Sequence, residues 1–259
     1  MRAKSIIAAL CIIFILVAGC GRNGVDMALD KARKAIDSHD RTNAAKYVDE
    51  AIAISPSDPE ILFRVMVMYT RPGFHKEQVS AANKLVEALD SSSDSAKLSR
   101  QTKAKLYTAT AIIMDKGDEK SLAQRCYEKA VSSDPKDPML SNNLAYFYAE
   151  RQINLPQSEK LARFALSKAP NDPNIQDTMG WVLYQQGKYA EAEKHIRNSV
   201  KGSPDNADLR YHLGAVYAAL GKAQEAKIEL KKCMLISPLH IDAQLLLNML
   251  RDNIKYDIF

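Results

Sequence analysis

The chain has 259 residues, of which 46 % are apolar, 26 % charged and only 7 % aromatic, with a single tryptophan, Trp181. Abundant Ala, Leu, Lys and Glu favours helices over sheets. The formal charge of +5 is scattered among 31 acidic residues and forms no basic stripe, which argues against a nucleic-acid partner.

Residues 1–20 read MRAKSIIAALCIIFILVAGC, with Arg2 and Lys4 ahead of an apolar run of twelve residues from Ile6 to Val17. As a helix such a run reaches about 18 Å, short of the roughly 30 Å of bilayer hydrocarbon. A cleaved secretory signal therefore fits better than a spanning anchor. Val17-Ala18-Gly19-Cys20 resembles the lipobox of bacterial lipoproteins. That resemblance implies removal of residues 1–19, acylation of Cys20 and stable attachment to a membrane. The alternative is an ordinary signal that happens to end in cysteine. Gly21, where aspartate would favour retention at the inner membrane, resembles the outer-membrane-directed pattern and implies a body facing the periplasm. Residues 20–24 would form a lipidated tether too short to let that body stray far from the bilayer.

From residue 25 onward the sequence reads as helices punctuated by proline. Pro56, Pro135 and Pro170 are each followed by an Asp-Pro pair: Asp58-Pro59, Asp137-Pro138 and Asp172-Pro173. An aspartate cap with proline at the first helical position starts a helix, so one junction recurs three times. Ala44, Val48 and Ala51 precede Pro56 at the offsets by which Ala123, Tyr127 and Ala130 precede Pro135. The surplus length between those prolines falls near Ser91-Ser92-Ser93-Asp94-Ser95, a polar loop signal. An extra residue between Pro135 and Pro170 is assigned to the loop Arg151–Pro156.

Shifted by 34 residues, the C-terminal part matches itself at Gly180/Gly214, Val182/Val216, Gly187-Lys188/Gly221-Lys222, Glu191-Ala192/Glu225-Ala226 and Ser203-Pro204/Ser237-Pro238. Composition alone would give roughly two identities in such a window. Gly180 and Gly214, with Ala192 and Ala226, allow paired helices to approach closely, and Gly187 and Gly221 can take the left-handed conformation that ends a helix. Pro204 and Pro238 stop the second helix of each pair.

Residues 177–204 and 211–238 resemble the tetratricopeptide repeat; Leu213-Gly214, Tyr217, Gly221, Ala226, Leu230 and Pro238 carry the fuller match. The resemblance implies an all-α fold, a right-handed superhelical solenoid of antiparallel helix pairs. Repeats are expected at 25–58, 59–92, 96–137, 138–172, 173–206 and 207–240, with a capping helix over 241–254 that covers the last apolar face.

The resemblance also implies a partner protein held in a concave groove lined by the first helices. The exposed groove positions carried over are Asn142, Asn143, Tyr146, Glu150, Asp177, Thr178, Trp181, Tyr184, Gln185, Tyr211 and His212. The same residues also suit a structural role, with Asn143 and Asp177 hydrogen-bonding between repeats and Trp181 and Tyr184 packing between helices. Basic residues are absent from the places where some relatives clamp a terminal carboxylate.

No phosphate loop, dinucleotide fingerprint, nucleophile elbow or zinc motif occurs, so no catalytic residue, metal or cofactor is expected. Cys126 and Cys233 read as small buried hydrophobes. The expectation is a lipid-anchored scaffold, with an accessory subunit of polysaccharide export or cell-wall synthesis, or a pilotin-like assembly factor, as alternatives.

Overall fold

A computed structural model describes residues 23–91 and 93–251, so the leading segment with Cys20 and most of the tether lies outside the described residues. Fourteen α-helices and no strand occur among the described residues. The chain divides into two compact units, residues 1–134 and 135–259.

The first unit holds α1 (Asn23–Asp37), α2 (Arg41–Ile54), α3 (Pro59–Met68), α4 (His75–Ser91), the one-turn α5 (Ser93–Ala96), α6 (Arg100–Lys116) and α7 (Lys120–Ser133). Its core is built from Leu29, Ala32 and Ile36 of α1, Ala44 and Ala51 of α2, and Ile61, Leu62 and Met66 of α3. Ala82 and Leu85 of α4, Ala111 and Met114 of α6, and Ala123 and Cys126 of α7 complete it. In α1, α4, α6 and α7 these residues recur at three- and four-residue spacing, the pattern of a helix with one buried stripe.

The pair α3–α4 departs most from the repeat. Helix α3 stops after ten residues at Met68, and the connection turns inward: Tyr69 stacks on Phe74 at 5.7 Å, both rings buried. Arg41 clasps this turn. Its guanidinium lies 5.3 Å over the Phe74 ring, donates to the Gly73 carbonyl and pairs with Glu77 at 3.2 Å. A short first helix and a filled turn account for the loss of the 34-residue pattern here.

The serine-rich stretch is helical on both sides of residue 92, rather than a loop. Ser91 Oγ donates to the Glu87 carbonyl at 2.8 Å and Ser95 Oγ to that of Leu89 at 2.7 Å. Short hydroxyl side chains here satisfy helix-end carbonyls that water would otherwise take.

The second unit holds α8 (Pro138–Glu150), α9 (Leu155–Lys168), α10 (Pro173–Gln185), α11 (Tyr189–Gly202), α12 (Ala207–Ala219), α13 (Ala223–Ile236) and α14 (Ile241–Arg251). The repeated Asp-Pro junction forms as the sequence implies: Asp137 accepts from Met139 N at 2.8 Å, and Asp172 from Asn174 N at 2.8 Å. In the first unit, Asp58 accepts from Glu60 N at 2.9 Å.

Close approach is visible at Gly180, where an added Cβ would stand 2.4 Å from Ile196 Cγ1, and at Gly214, where it would stand 2.8 Å from Leu230 Cγ. Helix α10 ends with Gly187 at φ +74, while Gly187 N and Lys188 N return to the Tyr184 and Leu183 carbonyls. The α8–α9 connection is one residue longer than α10–α11, which places the extra residue between Arg151 and Asn154.

Helix α14 buries Ala243 and Leu246 against α12 and α13. It is only a partial cap, because Ile241 and Leu245 on its outer face stay exposed beside exposed Leu235 and Leu239. Two apolar residues per turn cannot both face inward when only one stripe of the helix has a neighbour.

Candidate partner-binding face

All eleven candidate residues fall on the first helices of the second unit: Asn142, Asn143, Tyr146 and Glu150 on α8, Asp177, Thr178, Trp181, Tyr184 and Gln185 on α10, and Tyr211 and His212 on α12. Trp181 is the centre. Its indole stacks on Tyr184 with ring centroids 4.6 Å apart and planes within 4°. On another side it stacks on His212 at 4.1 Å. Tyr211 closes at 6.2 Å, and Tyr146 reaches His212 from α8 at 6.3 Å. Residues three and four apart share a helix face, so Asp177, Trp181 and Tyr184 project together from α10.

Asp177 ties this cluster across repeats. His212 Nδ1 meets Asp177 Oδ1 at 2.8 Å, and neither side chain is open to water. A hydrogen bond in a low-dielectric interior is strong and fixes the imidazole plane, which in turn fixes the stack on Trp181.

From sequence all eleven are expected at exposed groove positions, with Asp177, Trp181 and Tyr184 also suiting a structural role. The structure corrects the exposure and packs those three between helices. Asn142, Asp177, Thr178, Trp181, Tyr184 and His212 are buried, Asn143, Tyr146, Gln185 and Tyr211 are half-buried, and only Glu150 is exposed. Aromatic side chains from successive first helices are long enough to meet, and they gain more by stacking on one another than by lining an open trough. Thr178 turns back onto its own helix, with Oγ1 donating to the Asn174 carbonyl at 3.0 Å. Gln185 Oε1 accepts from Gln152 Nε2 at 3.1 Å.

Two residues of this cluster, Asn142 and Trp181, carry an unmet polar atom. Asn142 Oδ1 and Trp181 Nε1 are buried, in side chains 4 % and 5 % exposed, and have no hydrogen-bond partner among the described residues. Leaving such a group unpaired costs about 1–3 kcal/mol.

His240, an isolated histidine in the sequence, joins the cluster with its ring 5.0 Å from Tyr211. Its Nδ1 accepts from Ala243 N at 3.3 Å, starting α14, and its Nε2 stands 3.5 Å from Asp208 Oδ1. No periodic signal marks it, because it lies in the turn after α13 and not on a first helix.

Among the described residues no group of three or more His, Cys, Asp or Glu is placed to hold a metal ion, and no helix is long and apolar enough to cross a membrane. Cys126 and Cys233 are buried free thiols. Burial pushes Cys126 up to about 12 and Cys233 up to about 11, so neither offers a thiolate near neutral pH.

A tetratricopeptide repeat family model matches residues 183–250. A TPR repeat-containing protein of Pseudomonas aeruginosa is 32 % identical over 88 residues, which is 34 % of this chain and 15 % of that relative's length. The chain thus spans only a small part of that relative. The crystal structure of PilW, a widely conserved type IV pilus biogenesis factor, is similar with a TM-score of 0.59 at 13 % identity, over 88 % of this chain and all of that one. A thermophilic TPR protein of Thermus thermophilus gives a TM-score of 0.56 at 16 % identity, over 74 % of this chain and 98 % of that one. YrrB, a TPR protein with an unusual peptide-binding site, gives 0.50 at 19 % identity, over 76 % of this chain and 96 % of that one. At these identities the likeness is one of fold: helix pairs of the tetratricopeptide type.

Proposed function

We propose that this tetratricopeptide-repeat chain is a lipid-anchored scaffold of the bacterial envelope that holds a partner protein on the first-helix face of residues 138–219. Recruitment, and not catalysis, is the reading that the site supports. The observation that carries it is the aromatic cluster around Trp181. A half-buried rim of Tyr146, Tyr211, Gln185 and Asn143 surrounds a rigid stack. Large rings already held in place lose little entropy on binding, which makes them good anchors.

The partner presents an extended segment to this face. The rim residues make the contacts, while Asp177, Thr178, Trp181, Tyr184 and His212 shape the surface from below.

The anchor is Cys20, on the strength of Val17-Ala18-Gly19-Cys20, and Gly21 assigns the chain to the outer membrane, facing the periplasm. Replacing Cys20 by Ser moves the protein from the membrane to the soluble fraction; a variant that stays in the membrane rejects the lipid anchor.

The binding face is tested by a photo-crosslinking residue placed at position 146 or 211 in the membrane-bound protein. The expected result is one dominant crosslinked partner, lost from a variant carrying Gln185→Ala and the alanine replacement of whichever of Tyr146 and Tyr211 does not hold the crosslinker. A crosslinking pattern no different from that of residues on the second helices rejects the face. The fold likeness to a pilus biogenesis factor makes pilus components the first proteins to seek among the products. Enzymes of glycan export or cell-wall synthesis are the second.

A further inference from the structure

A second site lies in the first unit, on residues that the partner-binding face does not use. Helices α2, α3 and α4 enclose a cleft of about 330 Å³. Its apolar wall is Val48, Ile52, Val65 and Ala81, and small Ala45 and Ser80 leave it open at the mouth. It exists because α3 ends early: Tyr69, the residue that closes α3, turns in under the cleft and is locked there by its stack on Phe74.

The floor is polar and holds one buried acceptor without a donor. Tyr69, only 5 % exposed, lines it. Burial, and then the negative charges of Glu77 and Asp49, push its phenol up to about 12, so at neutral pH it is a neutral hydroxyl facing two carboxylates. Glu77 Oε1 is taken by Arg41, but Oε2 is buried and meets no donor. Lys76 and Lys84 stand at the rim, exposed, and neither forms an ion pair among the described residues.

A floor with an open acceptor, an aliphatic wall and a rim where Lys76 and Lys84 outnumber Asp49 describe the complement of one kind of molecule. We propose that this cleft binds an ω-amino carboxylate, either as a free small molecule or as the C-terminal lysine of a peptide. The ammonium donates to Glu77 Oε2 and the Tyr69 hydroxyl, the methylene stem lies along Val48, Ile52, Val65 and Ala81, and the carboxylate meets Lys76 and Lys84. A bare alkylamine would leave the rim lysines unanswered. A fatty carboxylate would leave the Glu77 oxygen unanswered, at the penalty of one buried acceptor without a donor.

The probe is 6-aminohexanoate, titrated into the protein with ¹³C-labelled valine and isoleucine methyl groups. Saturable shifts at Val48, Ile52 and Val65 are expected, with a Kd on the order of 1 mM for so small a ligand. Hexanoate and pentylamine should each bind about tenfold more weakly, the worth of one charge-assisted contact. Glu77→Gln should weaken 6-aminohexanoate by a similar factor. Should that variant unfold through loss of the Arg41 contact, the paired Lys76→Ala and Lys84→Ala change, at exposed positions, should weaken 6-aminohexanoate while leaving pentylamine unchanged. A peptide ending in lysine that binds more tightly than 6-aminohexanoate, and loses this on amidation, identifies the peptide as the source; equal or weaker binding identifies the free molecule. Absence of saturable shifts, or hexanoate binding as well as 6-aminohexanoate, overturns the proposal.

Discussion

His212 Nδ1 and Asp177 Oδ1 stand 2.8 Å apart, joining two successive first helices through side chains that water does not reach. Removing one member takes away a buried hydrogen bond, which costs about 1–3 kcal/mol. Asp177→Ala should therefore destabilise the second unit strongly, and Asp177→Asn, which keeps a hydrogen-bond acceptor, much less. In a double-mutant cycle with His212→Ala, urea denaturation should return a coupling of about 2 kcal/mol. Additive losses would mean that the two side chains act independently, and that the stack on Trp181 is held by packing alone.

Gly180 and Gly187 separate two reasons for glycine. An added Cβ at Gly180 meets Ile196 Cγ1 at 2.4 Å, whereas at Gly187 nothing lies within 4 Å but φ is +74. Gly180→Ala should cost about 1–3 kcal/mol as overpacking, and should cost less in an Ile196→Ala background, which makes room at a cavity cost of its own. Gly187→Ala should cost about 1 kcal/mol through backbone strain alone, with no rescue from any neighbour. Thermal melts of the four variants decide this. Equal, unrescued losses at both glycines would contradict the close approach of α10 and α11.

Those two glycines and the three Asp-Pro junctions are legible in the sequence because each is a local event: a cap, a turn or a small side chain acts within a few residues of itself. The burial of Trp181, Tyr184 and His212 was not legible in the same way. It depends on Tyr146 and Tyr211, 35 residues before and 30 after Trp181, and on whether rings that share a face close over one another or stand apart. One consequence is practical. Trp181→Ala with Tyr184→Ala looks from the sequence like a clean surface test of binding. Both side chains are buried, so each truncation costs about 3–5 kcal/mol of stability. Tyr146, Tyr211 and Gln185 are the better probes. The cleft above Tyr69 left no periodic mark either, since it arises where the repeat pattern fails.

Glu159 links the second helix α9 to the turn that follows α10. Hydrogen bonds from Gln186, then Arg163 and Lys188, hold its carboxyl down at about 2. Its folded value lies below the unfolded one, so the stabilisation is fully present above about 4.5 and is lost as pH falls through about 2. With the side chain 19 % exposed, solvent screening leaves it on the order of 2 kcal/mol. Glu159→Gln should lower stability at pH 7 and flatten the decline between pH 4.5 and pH 2. Denaturant midpoints of the two proteins that run parallel across that window would exclude Glu159 as the titrating group.

The last turn of α8 closes with the same backbone geometry as α10 but without glycine: Gln152 takes φ 52, with Gln152 N and Ile153 N returning to the Ala149 and Tyr148 carbonyls. A side chain in the left-handed region pays about 1–2 kcal/mol, and glycine there would give back about 0.5–1 kcal/mol of that through the greater freedom of its unfolded state. The exposed Gln152–Gln185 hydrogen bond, which the change removes, is worth little against water. Gln152→Gly should therefore stabilise the second unit by roughly 0.5 kcal/mol, read as a rise in Tm of a few degrees. A fall in Tm would show that the bridge to Gln185 outweighs the torsional strain, and would turn Gln152 from a tolerated misfit into a contact that helps to set the spacing of α8 and α10.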